Sequence, residues 1–201
     1  QEFNPPYTSS PSAQIGNGID TPQGVAFDTS DDLFVANSGN NTVTEYSVPI
    51  ASGAAPAATI SDHIKNPTGL MAVNNSGTLF VVNVPSNDET VTLYTGSAPT
   101  FTKSGGLSPG SDVAGMVTDP AGDLFIANGN SQSVEQYTSF SYASTPALSL
   151  PLPFAQDIAI DSNGTIFAVG SNTMIESASP YSTSTSYTTG FAAADTVALS
   201  P

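Results

Sequence analysis

The chain repeats itself. Gly24 to Ser47 reads GVAFDTSDDLFVANSGNNTVTEYS, and the pattern returns three more times. Gly69 opens GLMAVNNSGTLFVVN, Gly115 opens GMVTDPAGDLFIAN and Asp157 opens DIAIDSNGTIFAVG. A fifth opening, DTVALSP, starts at Asp195. The phenylalanines Phe34, Phe80, Phe125 and Phe167 mark the period at 46, 45 and 42 residues. A unit that recurs at this interval must build the same small structure each time and bury it against its copies.

Within each copy the pattern predicts strands. Val25-Ala26-Phe27 alternates and is β-branched at its start. Asp28 to Asp32 is a polar turn. Leu33 to Ala36 is a short apolar run that fits a strand covered on both faces. Asn37 to Asn41 is rich in residues that tolerate positive φ, which predicts a hairpin turn before a third strand, Thr42 to Tyr46. Ala57 to Ile60 completes the set. In the second copy, the turn at Pro85 to Glu89 separates Leu79–Val82 from Thr90–Tyr94, and Thr100 to Thr102 is the candidate fourth strand. Residues 138–152 and 177–189 are Ser/Thr-rich, fall where fourth strands belong, and read as polar outer strands. Pro and Gly interrupt the chain too often for helices.

Four strands at a period of roughly 40–50 residues predict an all-β chain, a β-propeller of four-stranded antiparallel blades. It is read as a single domain over residues 1–201, with repeats near 24–66, 69–112, 115–154 and 157–192 and a partial repeat at 195–201. Leu33, Phe34, Val35, Leu79, Phe80, Val81, Leu124, Phe125 and Ile126 are the expected core. Two strands stand without blades of their own: a leading one at Ser12 to Ile15 and a trailing one at Thr196 to Leu199. They are compatible with a four-bladed ring with spare ends, a fragment, or an open arc that finds its missing strands in another copy.

At Asp31 to Ser47 the sequence resembles the NHL-repeat propellers of the sugar-lactonase-like superfamily. The residues that carry the likeness are Gly24, Ala26, Asp28, Leu33 to Asn41, Val43 and Tyr46, and the likeness extends over four and a half repeats. It implies a propeller in which six blades are usual. It departs from the family pattern at two places. Asn37, Asn83, Asn128 and Gly170 stand where an Asp is usual, and Thr42, Thr90, Ser133 and Thr173 where an Arg is usual. RNA-binding members use a basic face, which nothing here supplies.

Charge narrows the partners further. The net charge is -15, with two lysines and no arginine. Nucleic acid and anionic membranes are therefore excluded as partners, since binding phosphate requires clustered cations. No apolar run approaches the roughly 20 residues of a membrane span. The chain has no cysteine, so disulfides, thiolate metal sites and a Cys nucleophile are excluded. It starts at Gln1, as a mature protein with its leader removed would. Its Lys-poor, Ser/Thr/Asn-rich composition points to a secreted or cell-surface location. Asn40, Asn74 and Asn163 head glycosylation sequons.

Candidate chemistry is sparse. His63, the one histidine, follows Ser61 and Asp62 on a loop without a nucleophile-elbow pattern, and reads as a surface histidine. Superfamily lyases that depend on metal-bound histidines need more than one. The lactonases hold a divalent metal with Glu, Asn and Asp at the central axis. By that resemblance Asn37, Asn83 and Asn128 are weak candidates for metal ligands, with calcium the expected ion. The simpler reading makes them turn formers. Asp28, Asp119 and Asp161 read as caps of the first turn, and Tyr46, Tyr94 and Tyr137 as packing between blades. Acidic pairs at Asp31-Asp32 and Asp88-Glu89 read as solvated turns.

The sequence favours a non-enzymatic structural or interaction module that self-assembles into an oligomer or filament through its unpaired terminal strands. Its partners would be itself or other extracellular proteins, with glycans as further ligands and no resident cofactor. A metal-dependent lactonase-like hydrolase and a monomeric glycan- or peptide-binding propeller are the alternatives.

Overall fold

The computed structural model describes residues 11–84, 90–139, 142, 145–188 and 196–198. Their strands form four antiparallel four-stranded sheets, the blades. Blade 1 comprises β1 (Pro22–Phe27), β2 (Leu33–Asn37), β3 (Thr42–Tyr46) and β4 (Ala58–Ile60). Blade 2 comprises β5 (Pro67–Val73), β6 (Leu79–Asn83), β7 (Thr90–Ser97) and β8 (Thr100–Leu107). Blade 3 comprises β9 (Val113–Thr118), β10 (Leu124–Asn128), β11 (Ser133–Tyr137) and β12 (Leu148–Pro151). Blade 4 comprises β13 (Asp157–Ile160), β14 (Ile166–Gly170), β15 (Thr173–Ser177) and β16 (Thr185–Tyr187). The expected fourth strands are all present, and β8 runs five residues past the predicted Thr102.

The first turn of each blade is closed by one side chain, as the sequence predicts for Asp28, Asp119 and Asp161. Asp28 Oδ1 accepts the N–H groups of Ser30 and Asp32 at 2.8 and 2.9 Å. Asp161 Oδ1 does the same for Asn163 and Thr165, and Asp119 Oδ1 accepts Asp123 N–H. In blade 2 Asn74 takes this place, with Ser76 and Thr78 as donors. These short polar side chains replace the backbone pairing that a tight turn gives up. Hydrogen bonds donated by Thr165, its backbone N–H foremost, and by Asn163 hold the Asp161 carboxyl below the usual range.

Strand alternation then sends one set of side chains to each face. Phe34, Ala36, Val43 and Ile60 of blade 1 meet Met71, Leu79, Val81 and Tyr94 of blade 2. Phe80, Val82, Val91 and Leu93 meet Met116, Leu124, Ile126 and Tyr137. Phe125, Ala127, Val134 and Leu150 meet Ile158, Ile166, Ala168 and Ile175. Among the described residues these apolar clusters fill the interfaces 1–2, 2–3 and 3–4, and none joins blade 4 to blade 1. The inner strands follow the same order, β1 against β5, β5 against β9 and β9 against β13.

This arrangement corrects one expected core residue. Leu33 is only half-buried, although its counterparts Leu79 and Leu124 are fully enclosed. It lies on the face of blade 1 that no other blade covers. The eight other expected core residues are buried.

The leading segment also differs from expectation. Ser12 to Ile15 contributes a single bridge residue, Ala13, rather than a strand. Gln14 O accepts Gly53 N–H at 2.9 Å, and Tyr46 OH donates to Asn17 O. The segment thus covers the outer part of blade 1 instead of completing the last blade. At the other end residues 196–198 carry no strand, and Val197 N–H donates to Asp157 Oδ2 at 3.0 Å beside β13. Leu199, Asp88 and Glu89 lie outside the described residues.

The glycine that opens the repeat is explained by how closely the inner strands approach. A Cβ on Gly24 would lie 2.2 Å from Gly69 O. Gly69 itself has φ +91°, and its Cβ would lie 2.5 Å from the carbonyl of Gln23. Neither backbone can retreat without opening the 1–2 interface. Gly69→Ala is expected to cost about 2 kcal/mol or more, combining positive-φ strain with the clash. Urea unfolding would show this as a lower midpoint.

Candidate functional site

Asn37, Asn83 and Asn128 end β2, β6 and β10 and are 0%, 1% and 0% exposed. Each is occupied by its own surroundings. Asn37 Oδ1 accepts Asp20 N–H at 3.1 Å, while Nδ2 donates to Val35 O and Thr44 Oγ1, both at 3.1 Å. Asn83 Oδ1 accepts Lys65 N–H at 2.9 Å, and Nδ2 donates to Thr92 Oγ1 at 3.0 Å and Val81 O at 3.3 Å. Asn128 Oδ1 accepts Asn130 and Ser131 N–H, and Nδ2 donates to Pro109 O at 2.9 Å. In all three blades the amide ties the end of the second strand to the segment that leads into the blade. No histidine, aspartate or glutamate among the described residues gathers in a set of three able to hold a metal.

The aromatic residues divide into two groups. Tyr94 and Tyr137 are enclosed between blades and Tyr46 beneath the leading segment, and the hydroxyls of Tyr46, Tyr94 and Tyr137 donate to Asn17 O, Asp62 O and Glu135 Oε2. Burial pushes the Tyr94 and Tyr137 phenols well above the usual range. The second group was not anticipated. Phe101, Tyr142 and Tyr181 each reach back to the preceding blade and meet Phe34, Phe80 and Phe125 edge-on, at 5.8, 5.2 and 4.7 Å between centroids. Tyr142 OH donates to Gly122 O, and Tyr181 OH to Gly164 O, both at 2.7 Å. The only sequence signal was an aromatic after the third strand of blades 2, 3 and 4, and it falls at irregular positions.

The sequons are placed differently. Asn40 and Asn163 are exposed on turns. Asn74 is 2% exposed, and the amide nitrogen that a glycan would occupy donates to Tyr142 OH at 2.8 Å. His63 sits on an exposed turn with φ +58°, and its Nδ1 lies 2.8 Å from Asp62 Oδ1.

Two cavities are lined by residues of blades 1 and 2. One, about 510 Å³, is lined by His63, Lys65 and Lys103, with Asn83, Thr92 and Leu107 among its other walls. It gathers the chain's one histidine and both of its lysines. The other, about 290 Å³, lies between blades 1 and 2 and is lined by Asp28, Asp32, Glu45, Phe34 and Phe101. Glu45 is 3% exposed, and its Oε2 has no hydrogen-bond partner. Burial, then the charges of Asp32 and Asp28, push its carboxyl above the ordinary 4.5.

Two stability effects follow from this geometry. Asn83→Ala leaves Lys65 N–H and Thr92 Oγ1 without their partner, so a loss of about 2–3 kcal/mol is expected, measurable by chemical denaturation and independent of added calcium. Glu45 is neutral more readily in the fold than in the unfolded chain. Its stabilising contribution is full below pH 4.5 and is lost as pH rises through its higher folded value. Glu45→Gln should therefore raise stability at pH 7 by about 1 kcal/mol. That gain should shrink on acidification towards pH 4.5, as thermal melts across the pH range would show.

The comparisons agree with the fold. An NHL repeat model matches residues 20–46, which span β1 to β3. No curated protein matches the chain in sequence. Among solved structures, a streptogramin B lyase is similar at 14% identity and TM-score 0.59, over 94% of this chain and 58% of the lyase. The virginiamycin B lyase of Staphylococcus aureus is similar at 13% identity and TM-score 0.57, over 89% and 59%. A chain of a mitotic checkpoint complex reaches TM-score 0.64 at 16% identity, over 84% and 51%. The chain thus spans a little over half the length of these structures, and at such identities the likeness concerns the fold. Together with the four antiparallel sheets, these matches show a propeller-like fold that carries an NHL repeat at residues 20–46.

Proposed function

We propose that this chain is a non-enzymatic structural module that assembles head to tail, the outward face of blade 1 in one copy docking on the free face of blade 4 in another. One comparison carries this reading. Val25 is 58% exposed, whereas its register counterparts Met71, Met116 and Ile158 are 8%, 8% and 4% exposed. Phe27 beside it is 57% exposed. At the opposite end Phe167 is half-buried, while Phe34, Phe80 and Phe125 are enclosed by the following blade. The two faces repeat the chemistry that already packs three times within the chain, so each is a fitting partner for the other. A head-to-tail contact of this kind closes into a ring or extends into a filament.

The composition supports a location outside the cell, with other surface proteins as further partners. The engaged Asn37, Asn83 and Asn128 weigh against the lactonase-like alternative, since a metal would have to displace bonds that hold the blades. Light scattering on the purified chain should give multiples of 20.4 kDa that rise with concentration. Phe27→Asp, on an exposed site, should return the mass to one chain. A single chain at every concentration would overturn the reading.

The cavity lined by His63, Lys65 and Lys103 favours a second reading, a monomeric binding module. On a molecule of net charge -15, one basic hollow is suited to a ligand bearing carboxylates, such as an acidic glycan or peptide. Binding to an acidic-glycan array that Lys65→Ala and Lys103→Ala both abolish would support it.

A further inference from the structure

We propose that the cleft between blades 1 and 2 binds an organic cation, a protonated amine or a guanidinium, with Glu45 as the group that holds it. The repeat provides an internal control. Glu45 pairs in register with Phe34, as Gln136 does with Phe125. In blade 3 Gln136 Nε2 donates to Asp123 Oδ2 at 2.7 Å. Asp32 stands in the place of Asp123, since both close the first turn by accepting from the capping Asp. Both also use Oδ1 for a backbone N–H, of Val48 in blade 1 and Ser139 in blade 3. Blade 1 therefore presents two carboxylates where blade 3 has an amide and a carboxylate, and a donor is missing.

The other blades do not share this deficit. Leu93 holds the place in blade 2, paired with Phe80. In blade 4 Glu176 accepts Tyr187 OH at 2.8 Å. Glu45 alone of the four is an enclosed carboxylate with an oxygen lacking a donor. A buried anion beside two like charges is stable only when neutralised by a proton or a cation.

The shape of the cavity selects the kind of cation. At about 290 Å³ it is far larger than one ion. Asp28 Oδ1 and Asp32 Oδ1 are taken by backbone N–H groups, and the carboxylates do not converge as metal ligands. Phe34 and Phe101 form an aromatic wall. Carboxylates facing aromatic rings suit a cationic head on a short apolar stem. The head supplies several N–H donors, of which Glu45 lacks one.

Butylammonium chloride is the probe, titrated into the isotope-labelled chain and followed by amide chemical shifts against sodium chloride at equal ionic strength. Saturable shifts at Glu45, Ser97 and Phe101 are expected. Glu45→Gln should weaken binding at least about tenfold, as loss of a charged hydrogen bond does. Asp31→Asn, which makes the same charge change on the exposed turn, should leave binding unchanged. A capped lysine peptide run in parallel separates the sources: tighter binding than butylammonium assigns the cation to a protein side chain, weaker binding to a free amine. Equal losses in the two variants, shifts matched by sodium chloride, or saturation by calcium chloride alone would each overturn the proposal.

Discussion

Everything in this fold rests on the burial of one blade's face against the next. Each sheet is apolar on both sides, so a blade standing alone would leave two faces in water. At roughly 25 cal/mol per Å² of apolar surface, each interface is worth far more than the turns that shape it. Phe34, Phe80 and Phe125 are the centres of three such interfaces, and each is closed from the far side by an aromatic of the next blade. The glycine pair at the inner strands follows from the same demand: the faces meet only if the backbones of β1 and β5 can touch.

Most polar residues that recur with the repeat serve that packing. The capping aspartates spare the turn its lost backbone pairs. The asparagines at the strand ends are enclosed, with nearly every donor and acceptor used within a blade. Such groups are costly to bury and are retained because they are satisfied. Their recurrence is therefore a mark of structure, and the same amide that resembles a metal ligand in sequence is a fastener in three dimensions.

The strands and first turns were legible because they depend on local pattern: alternation, a turn residue, a phenylalanine at constant spacing. Asn128 accepts hairpin N–H groups as a turn former does, whereas Asn37 and Asn83 accept from the segment leading into the blade, a partner that local pattern does not reveal. What sequence could not supply was the neighbour of each face. Leu33 matches Leu79 and Leu124 in pattern but has no blade over it. Tyr142 and Tyr181 lie in polar stretches with no period, and their partners are 62 and 56 residues away in chain order. Ser12 to Ile15 has the composition of a strand, yet it lies along blade 1, where Asn17 O meets the Tyr46 hydroxyl.

Function in such a molecule is best sought where one copy departs from its siblings. A repeat imposes the same environment at each equivalent position, so a residue that ignores it has been released from the packing requirement or placed against it. Gly170, in place of the strand-end asparagine, answers a local close approach instead, since a Cβ there would lie 2.2 Å from Pro153 O. Glu45 is a departure of the second kind. The amide of Gln136 would satisfy the neighbouring carboxylate at no cost in shape, because the two side chains are isosteric. A charged oxygen enclosed in its place destabilises the fold unless something outside the chain completes it. The same logic applies to the terminal faces: Val25 and Phe27 are apolar where water now lies, and their siblings show what chemistry covers such a surface when a blade is present.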